Sequence, residues 1–74
     1  MENKEFKYDV IVIGGLGHVG LPLGIVFATK DLNVCLLDLD KEKAETVAQG
    51  KMPYIENGAE PLLKEVLAKG NLTI

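Results

Sequence analysis

The sequence predicts an α/β fold built on a parallel sheet, and three observations carry that prediction. Tyr8 to Ile13 is an apolar, β-branched run that does not alternate with polar residues, which is how a strand buried on both faces reads. A glycine-rich turn, Gly14 to Gly17, follows directly and opens a helix-like apolar stretch. A second apolar run, Val34 to Leu39, comes after a short connection, and parallel neighbours need a crossover of this kind.

Taken in order, Met1 to Lys7 is polar and expected to be loosely ordered. His18 to Lys30 reads as the first helix and Asp31 to Asn33 as its connection to the second strand. Lys41 to Gln49 reads as a second helix, with Asp40 placed to cap its start and Gly50 to stop it. Lys51 to Gly58 is a loop carrying Pro53 and Asn57-Gly58. Ala59 to Lys69 reads as a third helix with Pro61 in its first turn and Gly70 at its end, and Leu72 to Ile74 begins another strand. Right-handed crossovers then give the strand order 3-2-1, one half of a doubly wound sheet.

The turn carries the chemistry. Gly15, Gly17 and Gly20 fit G-x-G-x-x-G, and Asp38 lies 18 residues beyond Gly20 at the end of the second strand. Such a motif after a strand, opening a helix and followed by an acid, is the fingerprint of a Rossmann-type dinucleotide site. Gly15 and Gly17 let the backbone turn tightly and approach a pyrophosphate. The amides around His18, Val19 and Gly20 sit unpaired at the positive end of the helix and suit an anion. The expected cofactor contacts are therefore Gly15, Leu16, Gly17, His18, Val19, Gly20 and Asp38. The Asp38 carboxylate can accept both hydroxyl hydrogens of an adenosine ribose and would repel a 2′-phosphate, which predicts NAD rather than NADP. The absence of arginine from the chain points the same way, while Asp40 competes for this role but is better placed as a cap. His18 borders either the pyrophosphate or the nicotinamide side, or serves only as a spacer. Pro22 removes a backbone bond if the helix starts at Gly17, and the sequence offers no reason for it.

Composition narrows the alternatives. The chain has 74 residues, 47% hydrophobic and 26% charged, with a net charge of −3. Lys never occurs as a run, so neither nucleic acid nor an anionic membrane surface is expected as a partner. One cysteine, Cys35, excludes an internal disulfide, fits a reducing cytoplasm, and reads as a buried hydrophobe in the second strand. One histidine and no C-x-x-C argue against a metal site. Val10 to Ala28 has only His18 as a chargeable side chain and is long enough to span a bilayer, but Pro22 and its glycines are spaced as a turn motif. Gly17, Gly20, Gly24 and Ala28 share one helix face, and Val19, Leu21, Leu23, Ile25, Val26 and Phe27 make the others apolar. A helix apolar all round, and a bare apolar edge on the first strand, predict that residues 1–74 are an N-terminal piece of a longer protein.

The stretch Val12-Ile13-Gly14-Gly15-Leu16-Gly17-His18-Val19-Gly20-Leu21-Pro22-Leu23-Gly24 resembles the opening of the UDP-glucose/GDP-mannose dehydrogenase family, V-I-G-x-G-Y-V-G-L-P-L-A. The resemblance runs on through Val34 to Asp40 and through Gly50 to Ala59, which is similar to the family's G-x-x-P-x-x-E-x-G segment; Leu72-Thr73-Ile74 resembles its third strand. The extra glycine and His18 in place of tyrosine depart from the pattern and lean towards an N-acetylated UDP-hexosamine as substrate. The resemblance implies an oxidoreductase of polysaccharide biosynthesis, cytoplasmic and homodimeric in its full-length form. It implies oxidation of a UDP-sugar's C6 alcohol to a uronate in two NAD-dependent steps through a cysteine thiohemiacetal. The family's catalytic cysteine, lysine and asparagine lie later in its chains, and Cys35 does not match that position. No catalytic residue is therefore expected here, and the fragment alone is expected to be inactive.

Two other readings compete. Non-enzymatic NAD-sensing modules share the strand, glycine motif, strand and aspartate, but resemble this chain less across Gly50 to Gly58 and the helix that follows. An FAD domain is the other, because Gly15, Gly17, Gly20 and Gly24 fit the longer G-x-G-x-x-G-x-x-x-G spacing, although flavoproteins tend to end the second strand in glutamate rather than an aspartate such as Asp38.

Overall fold

A computed structural model describes residues 7–56 and 58–74. The expected polar lead, apart from Lys7, and Asn57 of the expected turn lie outside the described residues. The elements are β1 (Val10–Ile13), α1 (Gly20–Thr29), β2 (Val34–Leu37), α2 (Lys41–Ala48), α3 (Ala59–Lys69) and β3 (Leu72–Thr73). The sheet is parallel, in the order β1-β2-β3, with β2 in the middle.

Register decides which side chains become core. Val10 pairs with Val34 and Val34 with Leu72, while Val12 pairs with Leu36. This face packs with Leu21, Ile25 and Ala28 of α1, Val47 of α2, and Leu63 and Val66 of α3. Leu36 and Leu63 are completely buried. Pairing Ile11 with Cys35 and Ile13 with Leu37 makes the other face. There Ile11 is 55% exposed and Ile13 84%, so β1 is not covered on both sides as its unbroken apolar run predicts. The physical reason is that the core helices pack against one face only, and a continuous apolar run carries no record of which face is covered.

Helix ends follow local chemistry closely. Asp40 caps α2 by accepting the Lys43 amide at 3.0 Å. Gly50 and Gly70 follow α2 and α3 with φ of +84° and +81°, where an L side chain is strained. Asp31 plays the same part after α1 at φ +68°: its amide donates to Ala28 and that of Leu32 to Phe27, a Schellman closure. Asp31 also meets the Lys69 ammonium at 2.8 Å, an exposed pair that adds little.

The start of α1 differs from expectation. The helix begins at Gly20 rather than His18. Pro22 is therefore its third residue, in the first turn, where its fixed φ suits the helix and its missing N–H breaks no bond between helix residues. β2 also ends at Leu37, leaving Leu39 98% exposed.

Leu36 is the residue on which the sheet and α1 converge. Leu36→Ala should destabilise the chain by about 3 kcal/mol in a urea titration; a loss below about 1 kcal/mol would mean that the core is not packed as described.

Candidate functional site

The turn between β1 and α1 rests on the end of β2. The amides of Gly14 and Gly15 both donate to the Leu37 carbonyl, at 2.7 and 3.0 Å. The Leu16 amide donates to Asp38 Oδ2 at 3.1 Å, and the Leu16 side chain is fully buried in the core. The Gly17 amide closes the turn onto the Gly14 carbonyl at 3.2 Å. Among the described residues, no acceptor lies in hydrogen-bond reach of the His18, Val19 or Gly20 amides. These three donors crown the N-terminus of α1, where the helix dipole adds positive potential.

The glycines divide by cause. Gly14 has φ +71° and open space around it, which is a backbone requirement. At Gly15 an added Cβ would lie 2.8 Å from Leu36 Cβ and 2.9 Å from the Val12 carbonyl oxygen, so close approach to β2 demands glycine. At Gly20 it would lie 2.8 Å from the Gly14 carbonyl oxygen. At Gly24 it would lie 2.6 Å from Leu36 Cδ2, so packing alone accounts for that residue and its weight for a flavin motif falls. Gly17 stands apart. The nearest atom to its Cβ is the Gly14 carbonyl oxygen at 3.6 Å, ordinary contact, and its φ is not in the left-handed region. Among the described residues nothing requires glycine there, and the space a side chain would fill is open apart from that ordinary contact.

Asp38 serves two backbone partners. Its Oδ2 takes the Leu16 amide, and its Oδ1 takes the Asp40 amide at 3.0 Å. The Asp40 amide, then that of Leu16, hold the Asp38 carboxyl below the usual carboxylate range. The carboxylate stays exposed, and each oxygen keeps a further lone pair for a ligand hydroxyl. Asp38 also lines a cavity of about 530 Å³ whose other walls are Ile13, Gly14, Leu37 and Leu39. One carboxylate among apolar walls suits a nucleoside, with its sugar hydroxyls at the acid and its base on the apolar side.

A residue that the sequence did not single out touches the same turn. Tyr54, in the loop between α2 and α3, donates its hydroxyl to the Gly17 carbonyl at 3.1 Å. Its ring stacks on His18, with centroids 4.1 Å apart and planes 19° from parallel. The only hint in the sequence is an aromatic residue in a polar loop, where no helical or strand periodicity calls for one. Among the described residues, no group of three or more His, Cys, Asp or Glu side chains could hold a metal, and no helix is long and apolar enough to cross a membrane. Cys35 is free and only 8% exposed.

The division among the glycines is testable in the ligand-free chain. Gly15→Ala should cost about 2–3 kcal/mol through the clash with β2, whereas Gly17→Ala should stay within about 0.5 kcal/mol of wild type in chemical denaturation. Equal losses at the two positions would show that Gly17 also answers to packing.

Comparison with known proteins gives this geometry its context. Residues 9–74 match the NAD-binding domain of the UDP-glucose/GDP-mannose dehydrogenase family. The UDP-N-acetyl-D-mannosamine dehydrogenase of Methanococcus aeolicus is 32% identical over 73 residues, which is 99% of this chain and 17% of that protein. The enzyme of the same description from Pyrococcus horikoshii is 36% identical over 64 residues, 86% of this chain and 15% of its own length. Among solved structures, the UDP-N-acetyl-mannosamine dehydrogenase of Staphylococcus aureus superposes with a TM-score of 0.82 at 31% identity, covering 86% of this chain and 15% of that one. A UDP-glucose dehydrogenase from Pyrobaculum islandicum superposes with a TM-score of 0.84 at 26% identity, covering 99% of this chain and 17% of that one. The chain thus spans a small part of the length of the relatives it matches. Its fold is α/β with a parallel sheet, its relatives are oxidoreductases, its cofactor is NAD, and it belongs to the UDP-glucose/GDP-mannose dehydrogenase family.

Proposed function

We propose that this chain holds the ADP half of NAD for a UDP-sugar 6-dehydrogenase. The observation that carries the reading is the juxtaposition of three free amides, His18, Val19 and Gly20, with the unfilled space at Gly17 and the ligand-facing carboxylate of Asp38. The pyrophosphate lies over Gly17 and accepts from the free amides. The adenosine ribose bonds Asp38, and the adenine lies in the apolar cavity along Ile13, Leu37 and Leu39. Gly15 and Leu16 act from beneath. Gly15 gives the turn its closeness to β2, and the Leu16 amide, already bonded to Asp38, aligns the carboxylate. NAD supplies the hydride acceptor.

The same reading extends to the whole protein. Residues 1–74 form the N-terminal half of a doubly wound sheet, in the order 3-2-1 seen from the β3 edge. The exposed apolar face of Ile11, Ile13 and Leu37 is where the rest of the domain packs. The parent oxidises the C6 alcohol of a UDP-sugar to the uronate with two NAD, in the cytoplasm, for polysaccharide synthesis, and works as a homodimer. Several relatives are described as dehydrogenases of N-acetylated sugar nucleotides, which supports a UDP-N-acetylhexosamine as the substrate. The resemblance puts the family's catalytic residues later in the chain and Cys35 is buried in β2, so on this reading the chain alone is inactive.

Two substitutions test the cofactor reading. Gly17→Val should abolish measurable NAD binding by calorimetry while leaving the circular dichroism spectrum unchanged, because it fills the pyrophosphate space. Asp38→Asn keeps one acceptor oxygen for the backbone but loses the charge; it should weaken NAD about ten-fold and narrow the preference over NADP. Undiminished NAD binding by either variant removes the corresponding contact.

The pH dependence has a definite sign. The Asp38 carboxyl is depressed in the folded chain, so its contribution is present above the unfolded value of about 3.9 and is lost only as pH falls through the lower folded value. NAD affinity should therefore hold level from neutrality down to about pH 5 and fail only in stronger acid. A midpoint near pH 6 would point to a different group.

A further inference from the structure

We propose that Tyr54 is a positioning residue for the phosphate turn: the loop that carries it is a strap that sets the turn in its ligand-binding shape before NAD arrives. The proposal rests on the NAD reading above and adds a residue 37 positions beyond the turn it controls.

The geometry makes the case in three steps. First, the strap is itself fixed. Gly50, at φ +84°, sits under the Lys64 side chain of α3, and the Met52 amide donates to Glu60 Oε2 at 3.0 Å. Pro53 then restricts the backbone immediately before Tyr54. Second, Tyr54 grips the turn at two adjacent residues. The hydroxyl reaches the Gly17 carbonyl at 3.1 Å and the ring lies flat on His18. A residue that only filled space would not need the hydroxyl. Burial, and then the nearby Glu56 carboxylate, push the Tyr54 phenol up from its ordinary value, which keeps it protonated as a donor. Third, the gripped carbonyl is the hinge of the site. The Gly17 carbonyl also accepts the Leu21 amide at 3.1 Å, the bond that opens α1, so Tyr54 secures the point where the turn becomes helix.

The physical need for such a strap follows from the turn's composition. A segment with glycine at positions 14, 15, 17 and 20 has more backbone freedom to lose than any other of its length. If that freedom is removed only when NAD binds, the ordering subtracts from affinity; a prior contact removes it in advance. The His18–Tyr54 stack does this without occupying the space beside Gly17, because the ring lies on the His18 side chain and the amides stay free.

The test uses the 74-residue chain and two variants. Tyr54→Phe keeps the ring and loses the hydroxyl; Tyr54→Ala loses both. Amide hydrogen exchange is measured without ligand at Gly17 and Leu21, with Leu36 of β2 as the control. Affinities are then measured for NAD and for adenosine, which lacks the pyrophosphate and so does not reach the free amides of His18, Val19 and Gly20. The expected result is faster exchange at Gly17 and Leu21 with Leu36 unchanged, less in the phenylalanine variant than in the alanine one. NAD should weaken about five-fold in Tyr54→Phe and about thirty-fold in Tyr54→Ala, and adenosine by less than about two-fold. Unchanged exchange at Gly17 and Leu21 overturns the proposal, and so does equal acceleration at all three amides, which marks a merely structural residue. Should Tyr54→Ala fail to fold, Tyr54→Phe decides by the same criterion. Tight NAD binding that neither variant disturbs overturns Tyr54 and leaves the NAD reading standing. Absence of NAD binding in the wild type instead removes the NAD reading, and the exchange rates still decide whether Tyr54 holds the turn.

Discussion

The structure depends on the seating of one glycine turn against the end of β2. Gly14 and Gly15 place their amides on the Leu37 carbonyl, and Leu16 places its amide on the Asp38 carboxylate. That seat is possible only because Gly15 has no side chain where Leu36 Cβ lies. With the turn so fixed, Leu16 is carried into the core, α1 starts at Gly20, and the amides of His18, Val19 and Gly20 make no backbone bond among the described residues. The proposed anion seat is thus a by-product of how β1 reaches α1 across β2.

Asp38 shows that a residue proposed to bind a ligand can also be a structural one. Its two oxygens join the turn to the chain leaving β2, and the Asp40 amide it holds belongs to the cap of α2. The carboxylate proposed to meet a ribose is therefore held in place by the backbone of the same turn that is proposed to hold the pyrophosphate. On the proposed reading, a negative charge held so firmly beside the cavity makes a second negative charge on a bound ribose costly, which would favour NAD over NADP. Removing the whole side chain would break both backbone bonds, whereas an isosteric amide removes the charge and keeps one of them.

Much of this was legible from local signals. The caps and stops at Asp40, Gly50 and Gly70, and the full span of α3, follow from residue chemistry within a few positions and stand in the structure as expected. The glycine spacing and the distant acid likewise locate the turn between β1 and α1 and its contact with the end of β2, because the motif encodes a strand, a turn and a helix in register. What the sequence hid was long-range or side-specific. The unbroken apolar run of β1 did not reveal that Ile11 and Ile13 face away from the helices. The sequence pattern starts α1 two residues early, at His18, because Pro22 is uninformative until the turn's geometry places it third in the helix. Tyr54 meets Gly17 across 37 residues, a contact that no spacing rule reports. The roles of Gly15, Gly17 and Gly24 are indistinguishable in sequence and separate only when the neighbours of an added Cβ are known.

The central claim is that the start of α1 and the end of β2 together bind the ADP half of NAD. It is tested most directly by titrating the isotope-labelled chain with NAD and, separately, with NADP while following backbone amide resonances. The account predicts saturable shifts at His18, Val19 and Gly20, and at the Leu16 amide that reports on Asp38, with NADP needing a much higher concentration. Shifts that avoid these four amides, or that NADP produces as readily as NAD, would contradict it.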